Sequence, residues 1–154
     1  MASRTDGFNA DPLPWLLDEL TPAVRHLTLR GLLDRAADDP EVAAARAGAI
    51  RTEPIAPILA AQNAEGCWAK PGPGYSPKYT STVWQIIFLD QLGAEGDDPR
   101  VRAGREYLLS HTQSWSGGFG ATGATSGPPP PSSVIHCLNG NLLRALIGFG
   151  LLDG

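Results

Sequence analysis

Gln62-Asn63-Ala64-Glu65-Gly66-Cys67-Trp68 (QNAEGCW) and Gln113-Ser114-Trp115-Ser116-Gly117-Gly118-Phe119 (QSWSGGF) both read Q-x-x-x-G-x-aromatic, 51 residues apart. Other landmarks recur around them. Asp38-Asp39-Pro40-Glu41-Val42 is echoed 59 residues on by Asp97-Asp98-Pro99-Arg100-Val101. The apolar stretch 80–93 (TSTVWQIIFLDQLG) is echoed 57 residues on by 137–150 (CLNGNLLRALIGFG). Landmarks that return in the same order at slightly unequal offsets are what repeats with loops of different length produce. The sequence therefore predicts a repeat protein.

Each predicted unit is a pair of helices. Asp39 and Asp98 stand where a side chain can accept from free N–H groups at a helix start, with Pro40 and Pro99 in the first turn, where a missing N–H costs nothing. The helix after Pro99 sets Val101, Tyr107 and Leu108 on one side and Arg100, Arg102, Arg105 and Glu106 on the other, and should end near Gln113. The helix 80–92 is apolar on most sides, and the one starting at Cys137 more so, with Leu142, Leu143, Leu146 and Ile147. Such helices need neighbours to cover them. Upstream, residues 12–20 and 22–35 read as two further helices, and the helix from Pro40 should break at Thr52-Glu53-Pro54. No stretch alternates as a half-buried strand does. The expected class is all-α, α/α hairpin repeats forming a partial α/α toroid, with a disordered tail over residues 1–11 and a single domain over 12–154.

Composition narrows the function. The 154 residues are 42% hydrophobic with 18 glycines and 14 prolines, enough apolar material for one core joined by many turns. A net charge of −4 disfavours a nucleic-acid partner. Two cysteines are too few for a disulfide scaffold, which points to free thiols and the cytoplasm. No apolar run is long enough for a membrane span.

The motif Gln62-x-x-x-Gly66-x-Trp68, its copy Gln113-x-x-x-Gly117-x-Phe119 and the alternating inner and outer helices resemble the α/α-toroid superfamily. That superfamily includes squalene–hopene cyclases, other class II terpenoid cyclases and the β-subunits of protein prenyltransferases. The likeness covers residues 38–154, extends more weakly back to residue 12, and is nearest to a group of bacterial prenyltransferase/squalene-cyclase-like proteins. It implies helical hairpins wrapped into a ring around a central cavity, of which this chain supplies about half. It also implies a fastening role for the glutamines: each caps a helix end while the aromatic ring, Trp68 or Phe119, stacks over its amide.

The catalytic signatures of that superfamily do not carry over. There is no Asp-x-Asp-Asp acid. The run beginning Asp97-Asp98 ends in Val101 instead of the third Asp of a diphosphate-binding motif, and Ile135 occupies the Asp position of an Asp-x-Cys zinc pair at Cys137. No catalytic residue, metal or cofactor is assigned. The candidate cavity-lining residues are Tyr79, Trp84, His136, Cys137, Asn141 and Arg144. Tyr75, Tyr79 and Trp84 can form an aromatic wall. Cys137, Asn141, Arg144 and Gly148 share one stripe, either lining a cavity, where Arg144 can meet an anion, or facing water. A free cysteine is more often a small buried residue than a reactive one, and Cys137 is expected to be buried. The segment from Ser126 through Ser133 reads as a rigid, polyproline-like loop, first of all a spacer and also able to bind an aromatic groove.

The sequence stops where a third Asp-Asp-Pro would begin, which leaves the apolar helix 137–152 without its next neighbour. The expectation is a homodimer, or further repeats, covering that helix. The expected function is a terpenoid-cyclase/prenyltransferase-like repeat protein, non-catalytic by itself, that binds a protein partner or an apolar, isoprenoid-like ligand. The alternative is a fragment or subunit of an isoprenoid cyclase or prenyltransferase whose catalytic residues lie elsewhere.

Overall fold

The computed structural model of the chain describes residues 9–123 and 127–151. Among them are α1 (Leu13–Leu16), α2 (Pro22–Gly31), α3 (Pro40–Ala49), α4 (Ile55–Ala60), α5 (Thr82–Gln91), α6 (Pro99–His111) and α7 (His136–Gly148), with one 3-10 turn at Pro131–Ser133. No strand occurs among the described residues, only isolated bridges at Gln113–Phe119 and Gly120–Val134. The class is all-α. The expected tail falls mostly on residues 1–8, and Leu152 ends the last predicted helix; these positions lie outside the described residues.

The backbone divides into two compact units, Met1–Ala56 and Pro57–Gly154. In the first, α2 packs against α3 through Leu29, Val42 and Ala45, with Leu17 laid on that core. The helices approach closely at Gly48, where a Cβ would meet Pro22 Cβ at 3.1 Å. Arg25 Nη1 donates to Leu17 O at 2.7 Å and ties the chain before α2 to this pair. Helix α1 is a single turn, shorter than the expected 12–20. There Asp18 accepts from Leu20 N at 2.9 Å, a local side-chain bond that competes with helix continuation. Helix α2 stops at Gly31, short of the expected Arg35. The N–H groups of Leu33 and Arg35 turn back to Thr28 and Leu29, and Asp34 takes φ +52°. The expected break before Pro54 is present: α3 ends at Ala49 and α4 starts at Ile55.

In the second unit α5 packs against both α6 and α7. It buries Val83, Ile86 and Leu89 together with the polar Thr82 and Gln85. Helix α6 divides as expected at most positions: Val101, Gly104, Tyr107 and Leu108 are buried and Arg100, Arg102 and Glu106 exposed. Arg105, expected on the solvent side, is instead half-buried and donates to Phe149 O at 2.7 Å. Helix α7 is apolar on more of its circumference than the fold covers. Leu138, Leu142, Ala145 and Leu146 are buried, yet Leu143 and Ile147 remain 54% and 47% exposed.

Both predicted caps are present. Asp39 accepts from Glu41 N and Asp98 from Arg100 N, each at 2.9 Å, with proline in the first turn. Among the described residues no helix is long and apolar enough to cross a membrane.

Candidate functional site

The two glutamine motifs adopt the same local geometry. Gln62 Nε2 donates to Gly66 O at 3.0 Å, and Gln113 Nε2 to Gly117 O at 3.3 Å. Gly66 and Gly117 sit at φ +86° and +92°, left-handed backbone that a side chain would strain. The aromatic residue of each motif is then gripped by the helix that follows. Trp68 N donates to Thr82 Oγ1 at 3.1 Å, and Phe119 N to Asn139 Oδ1 at 2.7 Å. Thr82 and Asn139 occupy matching places, 57 residues apart, in the two apolar stretches.

The copies differ in what else they hold. Gln62 Nε2 also reaches Arg100 O, in the first turn of α6, at 2.8 Å. Trp68 is fully buried and its Nε1 donates to Ile58 O. Asn63 folds the first loop from within, accepting from the N–H of both Glu65 and Cys67 and donating from Nδ2 to Cys67 Sγ at 3.0 Å. An asparagine in a turn is the sequence signal that could have marked it.

The remaining candidates fall into two groups. Tyr75, Trp84 and Tyr79 come together, with Trp84 in the middle. Its ring centroid lies 5.3 Å from that of Tyr75 and 5.0 Å from that of Tyr79, both pairs tilted. Trp84 Nε1 donates to Tyr75 O at 2.8 Å and Gln85 Nε2 to Tyr79 O at 2.7 Å, so both tyrosines are anchored by their backbones. Tyr79 is 60% exposed and takes φ +65°.

His136, Cys137, Asn141 and Arg144 lie on the exposed side of α7. Cys137 is exposed, contrary to the expectation of a buried residue; the buried thiol is Cys67. The reason is rotational: the buried arc of α7 runs through Leu138, Leu142 and Ala145, and Cys137 falls outside it. Asn141 Nδ2 returns to Cys137 O at 2.9 Å. The anion that Arg144 meets is the chain's own Asp90, whose side chain is only 9% exposed. Burial pushes the Asp90 carboxyl above its usual range, and Arg144 opposes this. Gly148 makes room for the pair, since a Cβ there would collide with Asp90 Oδ1.

Two concavities lie among the described residues. In the first unit a groove of about 460 Å³ runs between α2 and α3, floored by Pro22, Ala44 and Ala45, with Glu19 and Glu41 flanking Arg25. In the second, about 200 Å³ lies between residues 70–76 and 121–123. Tyr107 ties this loop to α6: its Oη accepts from Gly72 N at 2.8 Å, and its ring stacks on His111 at 4.0 Å. Among the described residues no group of three or more His, Cys, Asp or Glu is placed to hold a metal ion. No protein-family model, curated protein or solved structure matches the chain.

Proposed function

We propose that the chain is a binding module built like the α/α toroids of the terpenoid cyclases and protein prenyltransferases, without catalytic activity of its own, and that its partner is a second copy of itself laid against α7. The observation that carries this reading is the row formed by Leu143 and Ile147, exposed at i and i+4 along a helix whose opposite face is core, with Leu151 exposed just past the helix end. Covering a large aliphatic side chain contributes about 1.5–3 kcal/mol when burial is complete, so a half-exposed row offers a substantial part of that to whatever covers it. A two-fold axis sets such a row against its own copy. Arg144, which precedes Ile147 on the same helix, is already paired with Asp90, so two copies meet without that cation left bare. The toroid-like construction is supported by the shared geometry of the two glutamine motifs and of the two Asp-Pro caps.

Light scattering at micromolar concentration tests the pairing. The expected mass is that of two chains, falling to one in Ile147→Glu with an unchanged helical circular-dichroism spectrum. A folded wild-type monomer at that concentration would overturn the pairing. Incubation with labelled farnesyl or geranylgeranyl diphosphate, with Mg²⁺ or Zn²⁺, tests the absence of catalysis; turnover would overturn it.

A further inference from the structure

Tyr79 is held in a conformation the fold gains little from. A left-handed backbone is disfavoured for a bulky side chain, and strain of this kind persists only where the surroundings impose it. Here the nearly buried Gln85 imposes it by donating to Tyr79 O. Yet the ring so positioned is 60% exposed, and burial returns little of the cost. What the strain achieves is to hold Tyr79 against Trp84, which Tyr75 flanks from the other side. The outcome is a row of three tilted aromatic rings, Tyr79 exposed and Tyr75 and Trp84 half-buried, the kind of surface onto which polyproline segments dock.

The same chain displays such a segment. Pro128, Pro129 and Pro130 are each followed by proline, so their rings set φ while the next residue drives ψ to the extended value. Pro130 has φ −68° and ψ 150°, the polyproline II conformation. With three residues per turn, Pro128 and Pro131 share one face, Pro130 lies on a second and Pro129 on the third. Pro129 is buried, beside Gly120 and Gly123, whereas Pro128, Pro130 and Pro131 are exposed. Two adjacent faces are thus presented and the third rests on the protein. The C-terminal end is fastened by Ala121 N donating to Ser133 O at 3.0 Å and Ser133 Oγ donating to Pro130 O at 2.8 Å, so docking would order little further chain. The dimensions agree: centroid steps of 5.3 and 5.0 Å make a row no longer than about 10 Å, and one polyproline turn advances about 9 Å. Tyr79 of the row and Pro128, Pro130 and Pro131 of the segment are all exposed within one chain.

We propose that the Tyr75–Trp84–Tyr79 row receives the Pro128–Pro131 segment of a second copy of this chain, a head-to-tail contact between two different surfaces. It is independent of the pairing through α7. A contact of this type uses one surface from each copy, leaves the other two open and therefore propagates.

The experiment is sedimentation of full-length chains carrying Ile147→Glu, which removes the α7 pairing. In that background the chains are single at micromolar concentration, and the mass is expected to rise past two chains as the concentration is taken into the millimolar range. Tyr79→Gly removes the ring and suits the left-handed backbone; Pro128→Ala with Pro131→Ala disrupts the segment. Each alone is expected to stay at one chain, with a thermal midpoint no lower for Tyr79→Gly than for its parent. Mixed in equal amounts, the two variants are expected to form a species of two chains and no larger, because each supplies the surface the other lacks. A synthetic peptide of residues 127–133 is expected to shift one indole NMR signal of the parent and none of the Tyr79→Gly variant. A parent that stays monomeric and ignores the peptide, or variants that do not associate on mixing, would overturn the proposal. A Tyr79→Gly midpoint well below the parent's would do the same, by showing that the ring serves the fold.

Discussion

The indole of Trp68 lies directly over the bare Cα of Gly104: a Cβ at that position would come within 2.9 Å of Trp68 Cζ3 and 3.0 Å of Ile86 Cδ1. Two effects oppose each other in Gly104→Ala. Alanine in the middle of α6 is favoured over glycine by about 1 kcal/mol. Overpacking a filled core costs about 1–3 kcal/mol, and both neighbours here are fully buried. The core effect is expected to win. Urea unfolding should show Gly104→Ala destabilised by about 1 kcal/mol or more, whereas a gain in stability would mean that Trp68 is free to move.

Asp90 and Asp98 are expected to act on stability with opposite signs as pH changes. Burial raises Asp90 above the ordinary value of 3.8. A carboxyl with a higher pKa folded than unfolded adds stability at pH below the unfolded value, and that contribution is lost as pH rises through the folded value. Asp98 is held below 3.8, first by its hydrogen bond with Arg100, so its contribution is present above the unfolded value and lost as pH falls through the folded one. Asp90→Asn should therefore match or exceed wild type near pH 7 and approach it near pH 4. Arg144 is largely exposed, and its pairing with Asp90 is worth under about 1 kcal/mol against that burial. Asp98→Ala should lose about 1 kcal/mol near neutral pH as a broken cap, with the gap closing in acid. Urea midpoints across pH 3 to 7 check both; an Asp90→Asn variant clearly weaker at neutral pH would show the ion pair to be net stabilising.

The two glutamines should not be equivalent. Gln62 bonds two carbonyls and joins its own loop to α6, while Gln113 is exposed and makes one longer bond. At about 0.5–1.5 kcal/mol per bond, Gln62→Ala is expected to cost about 1–3 kcal/mol. Gln113→Ala should cost under about 0.5 kcal/mol, the range of ordinary surface changes. Equal losses in urea unfolding would refute this asymmetry.

That asymmetry shows where sequence reading succeeds and where it stops. Asp39-Pro40, Asp98-Pro99 and the break before Pro54 were legible because caps and prolines act within a few residues of where they stand. The bond from Gln62 to Gly66 is equally local. Its second bond, to Arg100, spans 38 residues, and no pattern in either segment announces it. The pairing of Asp90 with Arg144, across 54 residues, is hidden for the same reason. Helix ends were misplaced where a short polar side chain or a left-handed residue, Asp18 or Asp34, stopped a periodic pattern early. The exposure of Cys137 was missed because residue-type averages say nothing about rotation: one step along α7 separates it from the buried Leu138. The aromatic grouping of Tyr75, Tyr79 and Trp84 was foreseeable because a short loop leaves its rings few places to go, but the strain at Tyr79 was not.

The two thiols give the simplest chemical check on the placement of α7. Cys67 is fully buried, with Asn63 donating to its sulfur, whereas Cys137 stands exposed in the first turn of α7. A disulfide reagent should therefore titrate one thiol per chain under native conditions. The second should react only as fast as the Pro57–Gly154 unit opens, because a buried group is reached through unfolding of the structure around it. Cys137→Ser should abolish the fast phase and leave the urea midpoint within about 0.5 kcal/mol of wild type, as for a surface position. If Cys137→Ser instead leaves a fast-reacting thiol, Cys67 is accessible and the packing assigned to the Gln62–Trp68 loop is wrong. If wild type shows no fast thiol at all, α7 is rotated from the orientation that also exposes Leu143 and Ile147, and the pairing proposed through that face loses its basis.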